Sequence, residues 1–69
     1  MQNTIKVERA KKNITQADLA IVLNVSRLTI HSIEAGKFNP SVVIALKMAR
    51  YFKIPVEELF ILDETDQYF

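Results

Sequence analysis

Between Ser26 and Gly36 the chain reads SRLTIHSIEAG. A guanidinium (Arg27), an apolar side chain (Leu28), an imidazole (His31) and a hydroxyl (Ser32) follow one another closely there. At 3.6 residues per turn these four share one side of a helix, and Ile30 and Ile33 fall on the other. Such a set suits contact with a polar edge, where charged, neutral and apolar groups are needed together. It does not suit catalysis. The chain has one histidine, no cysteine, no glycine-rich loop and no paired carboxylates on a pocket wall. Glu57 and Glu58 are adjacent, but they fall at a helix start, where the helix dipole accounts for them. No enzymatic activity, cofactor or metal site is expected.

These side chains need a body to position them, and 69 residues make one small domain. The lack of cysteine excludes disulfides and fits a reducing compartment. No apolar run approaches the ~20 residues of a membrane span, and the start MQNTIKVERAKK has no signal-peptide core. A soluble, cytoplasmic protein is expected, with no second domain for a small molecule. The net charge of +1 hides an asymmetry. Residues 1–53 hold nine basic residues against three acids, whereas residues 54–69 hold five acids and no base. Such a division points to a polyanion partner for the body and an acidic tail, residues 63–69, turned outward. Ordinary solvated helix faces are the alternative.

The punctuation predicts five short helices. The first runs over about 4–12 and closes at Asn13. Thr15 and Asp18 form a capping-box pattern before the second, whose core stripe is Leu19, Ala20 and Leu23; Asn24 ends it. Ser26 caps the third, Gly36 ends it, and Ser41 caps a fourth with the stripe Val42, Ala45, Leu46, Ala49 and Phe52. Pro55 precedes a short fifth helix, and the remainder is either a short strand or a tail. The fold class is an all-α, compact five-helix bundle. Its second and third helices, joined by a turn at Asn24-Val25-Ser26, have the spacing of a helix-turn-helix: Ala20 sits at the close approach, and Val25, Ile30 and Ile33 plug the space between.

With Arg9, ITQADLA, NVSRLTI, IEAGKFNPS, ALKMARYF and VEEL in order over residues 5–60, the chain resembles the XRE (Cro/cI-type, lambda-repressor-like) regulators. It is most similar to the small stand-alone ones of the cytolysin-repressor type. The resemblance implies that the second helix lies across the DNA backbone and the third enters the major groove. Arg27 is then either a bidentate reader of guanine or a phosphate contact, and Leu28, where the family often has Gln, packs on a thymine methyl. His31 and Ser32 face base or backbone, with a solvated surface histidine the alternative for His31. Ser26 caps its helix and can also reach a phosphate. Gln16 matches the family's phosphate-clamping glutamine, and Lys37 and Asn39 are expected on phosphates too. The family's ion pair between the first and third helices maps to Arg9 and Glu34.

The chain departs from the family at several positions. Glu8 and Lys12 stand where apolar residues are usual, which predicts a rotated or shortened first helix. Asn13 and Asn24 replace glycines, and Ile21 and Val22 replace charges, so that one of the two is expected at the surface. The run Leu59, Phe60, Ile61, Leu62, with Tyr68 and Phe69 beyond it, is more apolar than so small a domain can bury. It predicts a homodimer through these four residues; the alternative is a monomer whose fifth helix closes its own core. The reading as a whole is a double-stranded DNA-binding regulator, a repressor acting as a homodimer on a palindrome, with residues 1–62 as its domain. The rival is a protein-interaction or antitoxin module of the same fold.

Overall fold

Three of the helices start where a hydroxyl can take up free backbone N–H groups. In the computed structural model, which describes residues 1–66, Thr15 and Asp18 form a reciprocal pair: the Asp18 N–H donates to Thr15 Oγ1 at 3.0 Å and the Thr15 N–H to Asp18 Oδ2 at 2.9 Å. The Thr15 N–H foremost, and then the Thr15 hydroxyl, hold the Asp18 carboxyl below the usual carboxylate range. The pair opens α2, Gln16–Leu23. Ser26 accepts from the Thr29 N–H to open α3, Arg27–Glu34, and Ser41 from the Ile44 N–H to open α4, Val42–Phe52. The first helix, α1, spans Ile5–Lys12; its first N–H donates to Asn3 Oδ1 at 3.2 Å. The last, α5, spans Val56–Leu59 behind Pro55.

Helices α1 and α2 stop at Asn13 and Asn24, both left-handed at φ 55° and 56°. Asparagine tolerates that region, so the family's glycines are dispensable there. Lys53 ends α4 in the same conformation, at φ 59°. No sequence signal marked it, because lysine has no special tolerance for that region. Lys12 falls at the last turn of α1, and its ammonium lies 5.0 Å from the centre of the Tyr51 ring.

The core is made of Ile5, Leu19, Ala20, Leu23, Ile30, Ile33, Met48, Ala49, Phe52 and Leu59, drawn from all five helices. The expected α4 stripe needs correction. Val42 (74% exposed) and Leu46 face solvent, while Met48, which periodicity passed over, is fully buried. Helix α4 is apolar on most of its circumference, so helical spacing fits more than one row. Packing against the other helices decides which row turns inward.

Two strands of two residues complete the fold. Gln2–Asn3 (β1) pairs antiparallel with Phe60–Ile61 (β2), with Gln2 opposite Ile61 and Asn3 opposite Phe60. Two residues carry no periodicity, so β1 is invisible in the sequence; of the segment after α5, Phe60–Ile61 is strand, and residues 62–66 are not. Nor does the acidic end turn outward as far as Asp66. The Met1 ammonium lies 3.4 Å from Asp63 and 3.1 Å from Asp66, which raises the affinity of the amine for its proton, Asp66 most of all. The chain's own ammonium thus holds Asp63 and Asp66 against the body, where an outward tail was expected. Tyr68 and Phe69, expected to add apolar surface, lie outside the described residues.

Candidate nucleic-acid interface

Helix α3 is amphipathic in the manner that contact with a groove requires. Ile30 and Ile33, 0% and 2% exposed, fix it to the core. Arg27, Leu28 and His31 stand in solvent on its outer side, and Ser32 is half-buried. At the far end the Arg9 guanidinium forks onto Glu34: Nε donates to Oε2 at 2.6 Å and Nη2 to Oε1 at 3.1 Å. A third donor, Nη1, reaches the Ile14 carbonyl at 3.0 Å. The Glu34 bond holds Arg9 more firmly in its charged form. This half-buried fork ties α1, the α1–α2 turn and α3 together. Asn3 adds a second tie, since its Nδ2 donates to the Ile33 carbonyl at 3.1 Å.

Gln16 joins the fork to the outer surface. Its Nε2 donates to Glu34 Oε1 at 3.3 Å, and its Oε1 accepts from Arg27 Nη1 at 3.4 Å. The carboxylate dictates which way the amide points, because only the NH2 end can face it. The oxygen is thereby turned to Arg27, and the second Nε2 hydrogen remains for another acceptor. Lys6, Arg9, Gln16, His31 and Glu34 line an open depression over this network. Ser26 is engaged locally: Oγ accepts from the Thr29 N–H at 3.1 Å and pairs with Thr29 Oγ1 at 2.9 Å.

After α3 the backbone turns at Gly36, φ 74°, and Lys37, Phe38 and Asn39 follow in an exposed loop. Of the expected contact residues, Gln16, Arg27 and His31 lie about the Arg9–Glu34 network, Leu28, Ser32 and Lys37 line a second open depression, and Asn39 is exposed in the loop. Sequence pattern did not single out Lys6 or Phe38, each of which lines one of these two depressions; both depend on how chain segments meet rather than on spacing within one helix. Among the described residues no group of three or more His, Cys, Asp or Glu is placed to hold a metal ion. Among the described residues no helix is long and apolar enough to cross a membrane.

The four apolar residues expected to meet a second copy separate. Leu59 is fully buried in its own core and is withdrawn from that role, since α5 closes the bundle over it. Phe60 is half-buried, and Ile61 and Leu62 are exposed. Both Ile21 and Val22 are exposed, where one was expected.

Residues 5–59 match the model of a protein family described as helix-turn-helix. The chain belongs to the helix-turn-helix family. The assignment agrees with its relatives. An uncharacterised HTH-type transcriptional regulator of Methanocaldococcus jannaschii is 46% identical over 66 residues, covering 96% of this chain and all of the relative. One of Archaeoglobus fulgidus is 47% identical over 66 residues, covering 96% and 93%. Among solved structures, the restriction-modification controller protein C.AhdI from Aeromonas hydrophila superposes with a TM-score of 0.72 at 32% identity, covering 81% of this chain and 85% of that one. This helix-turn-helix protein is therefore an XRE-type, DNA-binding regulator of transcription.

Proposed function

We propose that the protein is a repressor that occupies promoter DNA in the cytoplasm as a homodimer, through the domain formed by residues 1–62. Each copy inserts α3 into the major groove of one half of a palindromic operator. The observation that carries this reading is Arg27, exposed at the first turn of α3 and braced by Gln16, on a helix whose other side is locked in the core. Arg27 reads a base edge, Gln16 and Lys37 hold phosphates, and Asn39, Ser26, His31 and Ser32 border the contact. Ile61 and Leu62, the exposed part of the apolar run, supply the surface for the second copy.

Selection of bound sequences from a random duplex pool tests this directly. The expected product is a palindrome with half-sites about 34–36 Å apart. Sedimentation at micromolar concentration is expected to show a dimer, and a strict monomer removes the palindrome. The rival, a protein-interaction or antitoxin module that has lost DNA, predicts undetectable or salt-insensitive binding to duplex. The surplus of six positive charges over residues 1–53 and the exposed Arg27 and Lys37 favour the DNA reading.

A further inference from the structure

Beside the polar side chains lies an apolar pair that hydrogen bonding does not explain. Leu28 is 69% exposed and Phe38 55% exposed, and with Thr29, Ser32 and Lys37 they line one open depression between α3 and the following loop. The backbone builds this depression. At the left-handed Gly36 the N–H donates to the Ile33 carbonyl, and the next N–H, of Lys37, donates to the Ser32 carbonyl, each at 3.0 Å. The chain therefore doubles back and sets Phe38 beside the side of α3 that carries Leu28. Thr29, which also lines it, has its hydroxyl engaged by Ser26. Leucine and phenylalanine side chains offer nothing to the carbonyl or amino groups of a base. The one apolar group that a base pair shows in the major groove is the 5-methyl of thymine.

We propose that this depression seats a thymine methyl of the operator, with Leu28 and Phe38 as its two walls and Lys37 on a neighbouring phosphate. The inference rests on α3 being the groove-entering helix. Lys37 in its lining makes a polyanion the occupant in preference to an apolar protein surface, and Leu28, which lines it, is the residue after Arg27 on the exposed side of α3. Phe38 thereby becomes a specificity-determining residue although it lies outside the recognition helix.

The test uses the selected duplex, with each thymine replaced in turn by deoxyuridine, which lacks only the methyl. Affinities are measured by fluorescence anisotropy for the wild type, Leu28→Ala and Phe38→Ala, with Leu28→Gln and Phe38→Leu in reserve should an alanine variant fail to fold. At one position in each half-site, loss of the methyl is expected to weaken wild-type binding about fourfold, the effect of burying one such group. Both alanine variants are expected to bind the thymine and uracil duplexes alike at that position. Equal wild-type affinity for every uracil duplex overturns the inference and leaves α3 as the reader. A methyl effect that survives both alanine variants overturns it too, by assigning the methyl to other residues. Failure to bind any duplex overturns the DNA reading itself.

Discussion

Helices α3 and α4 both begin on a serine cap and both pack on the same core, yet they distribute their apolar residues in opposite ways. In α3 the isoleucines Ile30 and Ile33 are buried, and charged or polar residues fill most of the remaining circumference. In α4, Met48, Ala49 and Phe52 are buried while Val42, Val43 and Leu46 remain in solvent. A helix with one apolar side declares its orientation; a helix with several does not. That contrast separates what could be read from sequence from what could not. It also separates the helix that can present polar groups to DNA from the one that mainly supports the fold.

The contrast can be broken most severely in the core. Ile30→Ala is expected to cost about 2–5 kcal/mol of unfolding free energy, whereas Leu46→Ala, at an exposed position, should stay within about 0.5 kcal/mol. Urea titration of both variants checks this, and comparable losses would erase the difference between the two helices. Next comes the outer side of α3. Arg27→Ala should cost about 1–3 kcal/mol of operator binding and relax the preference at one base pair, read by titration against the selected duplex and its single-base variants. Intact binding would show that another side of the protein makes the contact.

Removing the tie at the end of α3 is expected to have a similar effect on the fold. Glu34→Gln leaves the Arg9 fork without its charged partner and should destabilise by about 1–3 kcal/mol, seen as a lowered thermal midpoint; an unchanged midpoint would mean that solvent already screens the pair. Smaller still is the cap. Ser26→Ala and Ser41→Ala should each cost about 1 kcal/mol, so equal losses would place the difference between α3 and α4 in their sides and not in their starts. The smallest effect concerns pH. The folded pKa of Asp18 lies below its ordinary value of 3.8, so its contribution is present above that value and fades as pH falls through the folded pKa. Asp18→Asn should flatten the acid limb of the stability profile in proportion, while Ser26→Ala should leave the shape of that limb unchanged.

Much of this architecture is legible in the chain because local chemistry decides it. Thr15, Asp18, Ser26 and Ser41 mark helix starts through hydrogen bonds made within three residues, and Asn13 and Asn24 mark ends through their own backbone tolerance. What escaped depends on distant segments meeting. The β1–β2 pair joins the beginning of the chain to the segment after α5, Leu59 is claimed by the core of its own chain, and Met48 displaces Leu46 because of where the other helices lie. The site divides in the same way. Arg27, Leu28 and His31 share a side through periodicity alone, whereas the brace from Gln16 and the approach of Phe38 depend on a turn and a loop in three dimensions.

None of Arg27, Leu28 and His31 contributes to the buried interior. Exchanging any of them costs the folded chain little. With these residues reading the operator as proposed, preference for a target drifts by single substitutions without passing through an unfolded ancestor, and a duplicated copy acquires a new set of genes while keeping its body unaltered.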